Sequence, residues 1–339
     1  MAADAHGFPW GNGKPSISKR VIFAIVVGFV AFAMHYIRPS GNGGLSDFSG
    51  IWYGSGMLLH GDNPYTVIGP GRAIDLPSHL YYPGPALVAV APFTMLPVGL
   101  AGAVFICISA ALLAYGATKD SWYLLPMFVS VPFMNAARLG QWSIMLTAAL
   151  FLPWLAFLAA AKPQTSLPVL FGARSSKTIL AAVVGAALLT AVSFILLPHW
   201  ASAWLAELKT SEHFRPPIFS LGGAAILLVL LKWRRPESWL ILSAACVPQT
   251  WYPYNALILL AVACTYREAC ILSLLSSAGW LGAYYFAPGN SRLPETQLLF
   301  RNVMLAFGFL PALIVVLRRP NNGPSPAWLR PLIQRKHAA

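Results

Sequence analysis

The run Gln141-Trp142-Ser143-Ile144-Met145-Leu146-Thr147-Ala148-Ala149-Leu150-Phe151-Leu152-Pro153-Trp154-Leu155-Ala156-Phe157-Leu158-Ala159-Ala160-Ala161-Lys162 decides the fold. Nothing between Gln141 and Lys162 is charged, and Trp142–Ala161 has the length of one bilayer crossing, about 20 helical residues. It reads as one clear span followed by Lys162-Pro163. Similar runs recur along the chain: 57% of the 339 residues are hydrophobic and 10% charged, where a soluble domain carries roughly 25% charged residues. These facts predict an all-α polytopic membrane protein and exclude an ordinary soluble domain.

The net charge of +13 does not point to nucleic acid. Lys and Arg fall in short segments between apolar runs, with no basic face or RNA-binding motif, as the positive-inside rule expects. Lys14, Lys19 and Arg20 precede the first run, Val21 to Ile37, and Arg318-Arg319 and Arg335-Lys336 follow the last. Both termini are therefore expected on the cytoplasmic side. The chain divides into a disordered cytoplasmic N-terminus (1–18), a transmembrane domain (19–319) and a basic cytoplasmic tail (320–339). Roughly nine to eleven helices are expected, with a re-entrant or broken segment near Pro92 and Pro97 before a full helix, and no internal repeat of the kind inverted-repeat transporters carry. Cys107, Cys246, Cys264 and Cys270 lack CxxC spacing and read as small core residues.

Polar chemistry gathers in the first outer loop, about Arg38 to Tyr82. Ser46-Asp47 reads as a helix N-cap, and Phe48 to His60 as a short amphipathic helix lying in the interface, stopped by Gly61 and Pro64. All ten acidic residues lie outside or at the edges of the apolar runs, whereas proton-coupled carriers keep a carboxylate at mid-membrane depth. Carboxylate chemistry is thus expected at the outer face. An Asp before a short helix is commonly only a cap; the same position keeps a carboxylate ionised and able to accept a proton from a hydroxyl. His60, His79, His199 and His213 lack metal-ligand spacing and read as interfacial or loop histidines; no metal ligands are assigned, and metal dependence stays open.

The pattern Asp47-Phe48, Trp52, Leu58-Leu59, Gly61, Asn63-Pro64-Tyr65, then Tyr82-Pro83 resembles the first-loop signature of the polyprenol-phosphate-dependent mannosyltransferase-like family, glycosyltransferase family 87, formerly domain of unknown function 2029. Arg138-Leu139-Gly140-Gln141 resembles that family's Gly-Gln motif, and Lys162-Pro163 its Lys-Pro segment. The resemblance covers about residues 40–220. It implies a GT-C bundle in a plasma membrane, such as a bacterial inner membrane. It further implies a polyprenyl-phosphate-linked sugar as donor, a glycolipid or glycan acceptor, and inversion at the anomeric carbon with Asp47 as base. Lys162, Arg138 and Arg215 are the implied phosphate ligands, in that order. Gln141, Asn63, Tyr65 and Tyr82 are implied substrate-binding positions. Membrane lipids are the surrounding partners, and no cofactor is identified.

Two departures stand out. Only about twenty residues separate Gln141 from Lys162, where the family usually fits a helical hairpin, so a span is missing and the side of Lys162 is open. The stretch Gln249-Thr250-Trp251-Tyr252-Pro253-Tyr254-Asn255 lacks the family's histidine, leaving Tyr252 or Asn255 to substitute. A lipid or small-molecule transporter, suggested by the broken helices near Pro92 and Pro248, is the rival reading, and a noncatalytic scaffold the third.

Overall fold

A computed structural model describes residues 14–37, 46–211, 215–287, 294–322 and 325–330. Its described α-helices are α1 (Ile17–Tyr36), α2 (Asp47–Leu59), α3 (Gly84–Val90), α4 (Val98–Ala117), α5 (Val131–Leu139), α6 (Ser143–Ala148), α7 (Pro163–Phe171), α8 (Ser176–Leu196), α9 (Trp200–Leu208), α10 (Pro236–Cys246), α11 (Leu257–Leu260), α12 (Tyr266–Phe286), α13 (Pro294–Val303) and α14 (Leu310–Leu317). Among the described residues there is no strand. A π-helical stretch, Met304–Phe309, joins α13 to α14.

Five helical stretches are long and apolar enough to cross a bilayer: α1, α4, α8, α12 and the continuous Pro294–Leu317 stretch. Their exposed residues are themselves apolar. On α1, Val21, Ile22, Ile25, Val26, Phe29 and Val30 face outward while Ala24, Val27, Gly28 and Ala31 pack inward; on α8, Leu180, Val183, Leu188 and Ile195 do the same. Apolar surface of this extent is stable only against lipid. The chain is a polytopic α-helical membrane protein.

α1 and α4 form an antiparallel pair whose register can be read from three points. Arg20 donates to the Tyr115 carbonyl at 2.7 Å, Gly28 faces Cys107 and Ala111, and His35 faces Gly102. The starts of α1 and ends of α4 therefore share one face. That face also holds the Lys14–Asp120 pair (3.8 Å) and a partly buried charge cluster in which buried Glu237 meets Arg174 and Arg319, while Arg319 donates to Glu268 at 2.6 Å. Residues 325–330, in the basic tail, pack here: Ala327 donates to the Ala173 carbonyl (2.8 Å), and the Trp328 indole to the Phe171 carbonyl (3.0 Å). The cysteines correct an expectation. Cys246 and Cys264 are exposed and Cys107 and Cys270 half-buried, so none is a core residue.

The decisive correction concerns Trp142–Ala161. It is not one span. A straight 20-residue helix would hold its ends about 30 Å apart, yet Lys162 Nζ lies 2.8 Å from Gln141 Oε1. α6 ends at Ala148, and Pro153, tolerated at a helix start because its missing N–H has no partner to lose, opens the next piece and divides the run. α6 leads away from Gln141 to a turn at Phe151-Leu152 that packs on Gly116, near the end of α4. Pro153–Ala161 then returns as a 3-10 helix against α8, where Gly185 lets the Phe157 carbonyl approach; a Cβ there would lie 1.9 Å from that oxygen. The hairpin is present, compressed into twenty residues. Gly84–Val90 and the 3-10 segment Ala91–Met95 form a comparable broken piece before the full helix α4, as expected near Pro92.

Candidate functional site

α2 begins one residue earlier than expected, with Ser46 rather than Asp47 at the N-cap. The Ser46 amide donates to Ser49 Oγ at 2.9 Å. Asp47 is the first helical residue, and its Oδ2 accepts from Gln141 Nε2.

Gln141 is brought there by the end of α5. Gly140 takes the left-handed conformation (φ 72°) that closes the helix. Its missing side chain lets α5 sit directly on α2: a Cβ would lie 2.7 Å from Phe48 Cβ and 3.0 Å from the His35 ring. The next residue, Gln141, is 1% exposed. Its hydrogen bonds fix its orientation. Nε2 serves Asp47, and Oε1 accepts from Lys162 Nζ (2.8 Å) and from the Tyr82 hydroxyl (3.4 Å). The Lys162 ammonium also lies 4.8 Å from the Tyr254 ring centre and 5.9 Å from that of Tyr82.

Three segments far apart in sequence thus converge on a chain of half-buried carboxylate, buried amide and buried ammonium, walled by two tyrosines. Lys162 is 5% exposed and sits at the joint before α7, outside the five long spans. Burial pushes its ammonium down to about 8, with Asp47 pulling the other way. Burial, and then Asp47, hold the Tyr82 phenol well above its usual value, so it remains a donor. A buried cation is costly unless partnered; Gln141, two ring faces and the nearby Asp47 charge provide that partnership.

The remaining expected positions separate by role. Asn63 Oδ1 caps the Tyr65 amide at 3.1 Å, and the Tyr65 hydroxyl donates to the Tyr82 carbonyl at 3.0 Å; these two shape the loop beneath Tyr82. Tyr252 stacks on Tyr254 with centroids 5.7 Å apart, and Asn255 Nδ2 donates to the Thr250 carbonyl at 2.7 Å, so both hold the turn that presents Tyr254. Arg138 lies exposed on the last turn of α5 and Arg215 exposed beside Gln249, unlike buried Lys162. Sequence reasoning passed over Tyr254, although it lies within the turn already singled out. It also passed over the clasp in which Glu207 binds Arg72 and His79. Among the described residues, no group of three His, Cys, Asp or Glu side chains is placed to hold a metal ion.

Compared with family models, curated proteins and solved structures, the chain gives no match. The site's chemistry therefore rests on its own geometry and on the motif resemblance.

Proposed function

We propose that the chain is an inverting membrane hexosyltransferase, using mannose by the family resemblance. It moves the sugar from a polyprenyl-phosphate donor to an acceptor hydroxyl at the face bearing Asp47. The observation that carries this reading is the Asp47–Gln141–Lys162 chain: a buried cation is expensive unless it is partnered, and this one is held through an amide beside a carboxylate that can serve as base. Asp47 takes the acceptor hydroxyl's proton. The acceptor oxygen bonds to the anomeric carbon as the bond from that carbon to the phosphate oxygen breaks. The electron pair leaves on the lipid phosphate, whose charge the Lys162 ammonium and the Tyr82 hydroxyl stabilise. Gln141 separates the two charges and holds both.

The resemblance would make the bundle GT-C-like. In such a bundle the broken pieces, Gly84–Met95, the 142–161 hairpin, Gly223–Lys232 and Pro236–Cys246 among them, would serve as further membrane segments beside the five long helices. The positive-inside rule would put the face bearing Arg174, Arg235 and Arg319 in the cytoplasm, and Asp47 on the outer side of a plasma membrane. Exposed Arg138 and Arg215 would act on the incoming lipid headgroup.

The test is sugar transfer by the purified protein in liposomes containing polyprenyl-phosphate hexose and a glycolipid acceptor. A second reading, lipid or small-molecule transport, is favoured by the fold-back segments around a buried polar centre, an arrangement transporters also use. Movement of donor lipid across the bilayer with no glycosylated product would select it over transfer.

A further inference from the structure

The polar loop between α2 and α3 is held from outside by one carboxylate. Glu207, on α9, is 5% exposed. Arg72 reaches it through both Nη atoms, at 2.9 and 3.1 Å, and His79 Nδ1 meets Oε1 as well. The same Arg72 Nη1 donates to the carbonyls of Tyr65 and, at 3.1 Å, Ile68. Tyr65 is 1% exposed, and its hydroxyl fixes the Tyr82 carbonyl at 3.0 Å. Tyr82 in turn donates to Gln141. From the same helix, the Trp204 indole holds the Tyr81 carbonyl at 2.9 Å. α9 thus grips the loop at Arg72 and His79 and again at Tyr81, the residue just before Tyr82, with the Arg72 and Tyr81 partners 135 and 123 residues away in sequence.

Bidentate Arg–carboxylate pairs are directional as well as strong. A residue whose two oxygens serve three cationic or polar donors fixes Arg72 in one pose, and Arg72 fixes the Tyr65 backbone. We propose that Glu207 is a positioning residue for the Asp47–Gln141–Lys162 site, acting through Arg72 and Tyr65 to set where Tyr82 stands. The inference rests on the transferase reading for its kinetic readout, and on geometry alone for its spectroscopic one. Glu207→Gln keeps the size of the side chain but removes the charge and points an amide N–H at Arg72 or His79, so the grip loosens without opening a cavity.

The experiment uses the full chain in detergent, with a fluorine label on the Tyr82 ring read by NMR, alongside transfer kinetics. In Glu207→Gln the fluorine resonance is expected to shift or broaden, and kcat to fall ~10-fold with the donor KM changed by less than ~2-fold. The loss in the Glu207→Gln/Tyr65→Phe pair is expected to be smaller than the sum of the two single losses, because both act on one chain of contacts. Should Glu207→Gln not fold, Arg72→Gln breaks the same link from its more exposed end and carries the test. An unchanged fluorine resonance in a folded variant overturns the proposal whatever the activity. A wild-type protein that makes no glycosylated product contradicts the transferase reading instead, while the fluorine comparison still decides the coupling.

Discussion

Gly140→Ala places one methyl group at the closest approach between two site-bearing helices. The backbone there has φ 72°, and the new Cβ would lie 2.7 Å from Phe48 Cβ. A left-handed conformation costs a non-glycine residue about 1–2 kcal/mol. Comfortable carbon–carbon contact needs about 3.5–4.0 Å, so α5 and α2 must part by about 1 Å, and Phe48 Cβ cannot rotate away because it is fixed to the backbone. Overpacking of this kind adds about 1–3 kcal/mol, bringing the expected destabilisation to about 2–5 kcal/mol. The separation acts on the Asp47–Gln141 hydrogen bond itself, since Asp47 precedes Phe48 and Gln141 follows Gly140. A misplacement of about 1 Å can cost about 100-fold in rate, so sugar transfer should fall by that order, with a lower melting temperature read from tryptophan fluorescence. Gly56→Ala is the control: nothing lies within 4 Å of its new Cβ, and an alanine in mid-helix gains up to about 1 kcal/mol. A Gly140→Ala protein with wild-type rate and melting temperature would refute the packing argument.

Lys162 should give opposite trends in two assays. Its ammonium is pushed down to about 8 by burial, so donor-phosphate binding should weaken as pH rises through that value, checked by titrating donor affinity against pH. Stability should rise over the same interval up to the unfolded lysine's ~10.4, because there the unfolded chain holds the extra proton; denaturation at several pH values tests the sign, and Lys162→Met should abolish both trends. Gly185→Ala normally would favour a helix by about 1 kcal/mol, but the Phe157 carbonyl occupies the space, so the protein should be destabilised or fail to fold; unimpaired folding would contradict the hairpin's packing on α8. Arg319→Met removes the cation bound to half-buried Glu268 and leaves Glu237 with Arg174 alone, and should cost about 1–3 kcal/mol in thermal or denaturant unfolding.

Much of the architecture was legible because its signals are local. The cap at Ser46-Asp47, the stop at Gly61-Pro64 and the broken piece at Pro92 each depend on neighbouring residues, and α2 formed within a residue of its expected bounds. The 142–161 run misled because composition reports apolarity, not direction. Twenty apolar residues suit one crossing or two half-length pieces, and only Pro153 marked the difference. Gly140 was readable as a helix stop; that it also admits Phe48 depends on a contact across more than ninety residues. The same distance in sequence hid the Glu207 clasp. Glu207 looked like one more loop acid, because nothing in its surroundings names Arg72 or His79 as partners.

The most direct test of the central claim is the rate of sugar transfer from polyprenyl-phosphate hexose by Asp47→Asn, measured beside its melting temperature. The substitution preserves shape and can still hydrogen-bond Gln141, so the fold should persist. The account predicts a folded protein that binds donor but transfers sugar at least ~100-fold more slowly, the scale of a lost general base. Full activity in Asp47→Asn would contradict it.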